Sequence, residues 1–272
     1  MNGFRRWSLS SFTRLEKKGW RKRMHSLYAN VWNETTKMAL KKKTWFFMAI
    51  TLLIPIGAGL LLANFQSGFG ISAVSSGDFP IVILGLFTGI FLPLFLFMGA
   101  ADQFSGEIGD RTMKILLTRP ISRFKVFASK QISLGISIVV YLFLAMIGSV
   151  VSALFLNGGV SGSAIADWLL AYGTAFVPLA ALSIAAVFVA QFFSSGSSAL
   201  TVSVLLYISV KVSSFFFPQV STYSPTAYLD WHTLWIGNPM ASNQVWSVFM
   251  FLIACSILFF TAGYYLFDKK EL

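Results

Sequence analysis

At 272 residues, with 56% hydrophobic, 16% aromatic and 11% charged residues and a mean hydropathy of +0.72, the chain is far more apolar than a water-soluble domain, in which about a quarter of residues are charged. Its net charge of +11 is lopsided: twelve of twenty-one Lys and Arg precede Thr44, opposed there only by Glu16 and Glu34, and in so apolar a chain this points to anionic lipid and not to nucleic acid. Cys255 is the sole cysteine and lies in a hydrophobic run, which excludes an intrachain disulfide and a cysteine-based metal site.

Residues 1–43 read as a basic cytoplasmic arm. Within it, Ser26 to Lys43 carries Tyr28, Val31, Trp32, Thr35, Met38 and Ala39 at helical spacing, with Asn33, Glu34, Lys37 and Lys41 on the other side. That pattern predicts an amphipathic helix lying on the inner membrane surface; a solvated basic tail is the alternative.

Residues 44–267 follow as a transmembrane domain. A helix needs roughly 20 apolar residues to cross the hydrocarbon core, and six runs meet that length: Thr44 to Ala63, Phe79 to Ala101, Val126 to Leu156, Asp167 to Phe193, Ser198 to Phe217 and Val245 to Phe267. Short cytoplasmic loops keep Lys and Arg while exported loops lack them. Asn64 to Asp78, Asn157 to Ala166 and Pro218 to Gln244 hold no basic residue other than His232, so they are expected outside. Asp102 to Lys125, the turn Ser194 to Ser197 and the tail 268–272 are expected inside, which places both termini in the cytoplasm of the cell membrane. The fold class expected is all-α, six-span, N-in and C-in.

Pro55, Pro93 and Pro178 fall inside spans, where each removes a backbone hydrogen bond. Gly85 with Gly89, and Gly148 with Ser152, have the small-xxx-small spacing that permits close helix approach. The internal inverted repeat of many secondary transporters is missing.

The segment Asp102 to Lys125 is the most informative. Asp110 is typed as an N-cap and Pro120 as a stop. Between them Met113, Leu116 and Leu117 share a face, while Glu107 with Arg111 and Asp110 with Lys114 form i, i+4 pairs. A short charged and apolar helix of this kind either docks into a partner or rests on the membrane.

Here the chain resembles a known family. The amphipathic helix, the first two spans, and then Glu107, Gly109, Arg111, Leu116, Leu117, Arg119, Pro120, Ser122, Arg123 and Lys130 are similar to the membrane subunit of type-2 ABC (ATP-binding cassette) transporters. The family commonly has Gly-Thr where this chain has Gly109-Asp110-Arg111-Thr112, and Gly-Lys where it has Ser129-Lys130. The resemblance implies a coupling helix that contacts a separate cytoplasmic ATPase through Glu107, Asp110, Arg111, Met113, Leu116, Leu117, Arg119, Pro120 and Arg123, clasped by the amphipathic helix. It further implies a second permease subunit, identical or different, an exporter moving an amphiphilic cargo, and ATP with Mg on the partner and no cofactor in this chain.

The residue supply agrees with a non-enzymatic role. No Gly-Lys-Ser/Thr occurs to hold nucleotide phosphates, and the two histidines, His25 and His232, form no H-E-x-x-H. No catalytic or metal-ligating set is expected. A secondary transporter or channel and a non-transporting membrane scaffold are the competing classes. Lys211 is the single ionisable group deep in a span, roughly 9 Å from the outer end of the fifth at about 1.5 Å per residue; it either snorkels outward or lines a translocation path. In the outer segment, Tyr228, Trp231, His232 and Trp235 fit aromatic-belt anchoring, whereas the resemblance suggests a lid over the cavity.

Overall fold

The structure, a computed structural model, describes residues 27–69, 75–113, 121–156, 162–217, 219, 223–236 and 242–270. Among these the regular elements are helices: α1 (27–39), α2 (Lys42–Phe69), α3 (Phe79–Gly109), α4 (Arg123–Ala153), α5 (Gly162–Ala190), α6 (Gly196–Phe216) and α7 (Ser242–Lys269). Helices α2 to α7 are each long and apolar enough to cross a membrane, giving the six-span, all-α class expected from the sequence.

Several helices overrun the expected apolar limits, and α3 most of all. Loss of hydropathy after Ala101 suggests an end there, yet the helix continues to Gly109 because its polar residues have partners. Asp102 meets Lys41 and Lys43 at 3.6 and 3.5 Å, and the Gln103 amide donates to Ser133 Oγ at 3.1 Å. It ends where Arg111 takes a left-handed conformation at φ 57°, a usual way to stop a helix. Asp110 therefore closes α3, its N–H bonded to Gly106 O at 2.9 Å, and does not serve as the N-cap that its residue type suggests.

Two π turns interrupt α3, at Phe87–Phe91 and Asp102–Gly106. The first ends two residues before Pro93, which has no N–H to bond the carbonyl of Gly89 four residues back. Tyr207 of α6 supplies the missing donor, its hydroxyl reaching Gly89 O at 2.5 Å. The hydrogen bond that a span proline removes is thus replaced from a neighbouring helix, beside a wider turn.

Close approach of α2 and α4 follows from small residues on α4. A Cβ on Gly148 would stand 2.8 Å from the Leu52 carbonyl, and Ser152 Oγ donates to Pro55 O at 2.8 Å. The Gly85 and Gly89 pair behaves differently: a Cβ on either meets nothing within 4 Å, so this GxxxG makes no close helix crossing within the described chain.

The helices bury a core of Phe, Leu and Ala side chains centred on α3, α4 and α5. α2, α6 and α7 line its outside and keep wide apolar faces open, as expected of lipid-facing helices. At one end an aromatic cluster joins three elements: Phe104 of α3, Phe127 of α4 and Phe267 of α7, with ring centroids 5.5 to 6.2 Å apart. At the other end the Trp168 indole donates to Gly77 O at 2.8 Å, and Tyr172 OH to Pro80 O at 3.0 Å.

The two glycine sites give a paired prediction. Gly148→Ala overpacks the α2–α4 crossing and is expected to cost about 1–3 kcal/mol, read as a lower melting temperature of the detergent-purified protein. Gly85→Ala, which enters open space, is expected to leave the melting temperature unchanged or slightly raised.

Candidate functional site

Charge gathers at one end of the bundle, where α1, the end of α3 and the start of α4 converge. Lys130 stands seven residues into α4, about 10 Å from its first residue at about 1.5 Å per residue, and is completely buried. Its Nζ donates to Glu34 Oε2 of α1 at 2.7 Å and to Glu107 Oε2 of α3 at 2.7 Å. The ammonium also stands 5.9 Å from the Phe104 ring centroid, within cation–π range. Lys37 of α1, half-exposed at the rim, donates to the other Glu107 oxygen and lies 3.8 Å from Glu34.

The arithmetic of the cluster explains its composition. Glu34, Glu107 and Lys130 alone would bury one net negative charge, a costly arrangement away from water. Lys37 brings the four-residue set to neutrality from the rim. Next to it, Met38 of α1 inserts its thioether between α3 and α4, where Ser133 and Ser137 hydroxyls donate to the sulfur at 3.6 and 3.8 Å and the Gln103 amide also reaches it. α1 is thereby docked to the bundle through one face, while Tyr28 and Trp32 remain 68% and 66% exposed on the other.

The bundle-facing side of α1 differs from the sequence expectation. The sequence pattern groups Val31, Thr35 and Met38 with Tyr28 and Trp32 as a membrane face, with Glu34 on the polar side. In the structure Glu34 shares the buried face with Val31, Thr35 and Met38. Hydropathy alone places a glutamate outward, because it carries no information about a lysine waiting on another helix.

The residues proposed for a coupling surface divide. Asp110 and Arg111 are exposed at the charged end. Glu107 is buried, paired with Lys130 and Lys37, and not braced against Arg111 as its i, i+4 spacing suggests. Met113 is fully buried in the chain's own core, so its side chain is not on an open docking face. Arg123 is half-buried and donates to the backbone carbonyls of Asp268 and Lys270. Leu116, Leu117, Arg119 and Pro120, with Lys114, lie outside the described residues.

The elbow at the end of α3 is fixed against a second turn. Ser105 Oγ donates to Ala190 O at 2.7 Å, and a Cβ on Gly109 would fall 2.7 Å from the Ser194 carbonyl. The α7 tail joins the same end, where Lys270 Nζ donates to Gln191 O at 2.6 Å. The described starts and ends of the chain therefore share one side of the bundle with the basic elbow.

Toward the opposite end, Pro225–Tyr228 and Trp231–Trp235 form two 3-10 turns. Trp231 and His232 are buried, with Trp231 in a small core alongside Ala181, Val248 and Leu252. They are not lipid-facing anchors, because the segment folds back onto α5 and α7. Trp235 is 39% exposed and Tyr228 half-buried, its ring 5.4 Å from that of Phe251. Burial pushes the His232 pKa below its usual 6.5, more than the Asp230 carboxylate and the Leu229 backbone restore. Lys211 lies on α6, half-buried, 6.0 Å from the Tyr207 ring centroid.

An all-helical bundle of six membrane-length helices, with a polar elbow between the second and third gripped by an N-terminal helix, defines a multi-pass membrane transport component. The family model described as ABC-2 family transporter protein matches residues 30–211, and the chain belongs to that family. It is the membrane, or permease, component of such a transporter and not itself the ATPase; permeases of this family are generally paired with an ATPase subunit. No curated protein matches the chain.

Two predictions follow from this geometry. Lys130→Met leaves Glu34 and Glu107 facing each other without their shared cation and is expected to destabilise the fold by about 3–5 kcal/mol; the triple variant Lys130→Met, Glu34→Gln, Glu107→Gln should recover part of that loss in thermal melts. His232 is a base whose pKa falls on folding, so the unfolded chain takes up the proton first. Stability should be level well above pH 6.5 and decline as pH drops below it, and His232→Leu should flatten that decline in melting curves measured across the range.

Proposed function

We propose that the chain is the membrane half of an ATP-driven exporter, working as a homo- or heterodimer with a cytoplasmic ABC ATPase that binds ATP and Mg, and moving an amphiphilic cargo outward across the cell membrane. The observation that carries this reading is the Lys130 cluster: it ties α1, the end of α3 and the start of α4 into one polar unit at the end of the bundle where the basic elbow emerges. A partner pushing on the elbow would move α3 and α4 together with α1, and so act directly on two spans. With the positive-inside bias, this end faces the cytoplasm and both termini lie there.

Within the elbow, Asp110 and Arg111 offer exposed charge to the ATPase. Leu116 and Leu117 supply the apolar contact in this reading, worth roughly 1.5 to 3 kcal/mol for each fully buried side chain. Tyr28 and Trp32 of α1 face outward, positioned to meet membrane lipid or the flank of the partner. The family membership and the want of a phosphate-binding Gly-Lys-Ser/Thr in the sequence support an ATPase supplied in trans.

Replacing Leu116 and Leu117 together with Asp is expected to abolish co-purification of the ATPase while the membrane subunit stays inserted and monodisperse. Full retention of partner binding and of cargo-stimulated ATP hydrolysis by that variant would overturn the coupling role of the elbow.

A further inference from the structure

A groove of about 680 Å³ runs between α3 and α6, on the side of Lys211, within the ~300–1,000 Å³ range of small-molecule sites. Its walls include Gly89, Ile90, Tyr207, Ile208, Lys211 and Phe215. Ile90, Ile208 and Phe215 are 51%, 50% and 84% exposed, so the groove opens on the side of the bundle. Two features distinguish it from the ordinary seam between neighbouring helices. Gly89 and Ile90 in its wall belong to the π turn Phe87–Phe91, a departure from α geometry frequent at functional sites, here braced by the Tyr207 bond to Gly89 O. Its charge is a single lysine without a counter-ion: among the described residues no carboxylate lies within ion-pair distance of Lys211, whereas the buried Lys130 near the start of α4 has two.

A cation set in an apolar wall open on the side of the bundle favours a ligand with the complementary plan, an apolar body and an anionic head. We infer that this groove binds a membrane-dissolved amphiphile with an anionic headgroup, the head on Lys211 and the chain along Ile90, Ile208 and Phe215. This rests on the exporter reading above and narrows its cargo to anionic amphiphiles. Tyr207 positions the site twice over, fixing the π turn through its hydroxyl and lying under the ammonium with its ring.

The test uses the full-length chain in phosphatidylcholine nanodiscs, without any ATPase, and electron spin resonance of spin-labelled stearic acid at alkaline pH against its uncharged methyl ester. The native chain is expected to immobilise the acid several-fold more than the ester. Lys211→Met should erase that preference while leaving ester binding as it was. Gly89→Leu, whose new side chain enters open space in the groove, should displace both probes. A preference that survives Lys211→Met, or that survives Gly89→Leu as a lysine snorkelling to the interface would allow, overturns the inference. So does a native chain that immobilises neither probe, the result if a second copy covers the groove. Since no ATPase is present, binding here is read independently of coupling: loss of the ATPase contact would sink the exporter reading and leave this result standing.

Discussion

A lysine ammonium cut off from water must find its counter-charge within hydrogen-bond reach, and Lys130 finds it on two separate elements. That requirement organises the charged end of the molecule. Glu34 must come in from the N-terminal helix, so α1 folds back against the bundle. Glu107 must remain helical and inward-facing, so α3 runs on past its apolar stretch. Lys37 must follow Glu34 to balance the sum. Replacing such a network by apolar residues often leaves stability unchanged or raised, and removing one member is what costs. Its value to this molecule is accordingly best sought in what it joins: a helix outside the bundle, the end of one span and the start of the next.

Two stretches of α3 solve a similar problem with different chemistry. At the charged end, its polar groups and those of the adjoining π turn are met by lysines, Ser133 and the α5 backbone. Midway along the span, the carbonyl that Pro93 cannot engage is met by Tyr207. Each compensation comes from another helix, so motion of α3 must be shared with α4 at one end and with α6 farther along. In a transport component that sharing would link the elbow, where the proposed ATPase would act, to the groove beside Lys211, where a cargo of the proposed class would sit.

The six spans were legible because hydropathy over ~20 residues reports directly on length across a hydrocarbon core, and the spacing of Gly148 and Ser152 marked a real crossing with α2. Lys130 was visible as part of the family-like motif, yet its partner on α1 was not. Helical periodicity sorts residues by polarity and so set Glu34 apart from Val31 and Met38, although all three face the same bundle. Met113 on an expected docking face, and Trp231 as an expected belt anchor, differ for the converse reason: neither an amphipathic pattern nor aromatic content distinguishes a side chain offered to a partner or to lipid from one packed on the chain's own core. The Tyr207 to Gly89 bond had a readable half, the Pro93 gap, but its donor is 118 positions away in sequence.

Hydrogen exchange across residues 27–39, compared between the native protein and Lys130→Met, tests the organising role of Lys130 most directly. The account predicts that amides of α1 lose protection in the variant while those in the middle of α5, around Ala175 and Leu179, keep theirs. Unchanged protection of α1 in the variant would contradict it, since the helix would then be held to the bundle by something other than the lysine and its two glutamates.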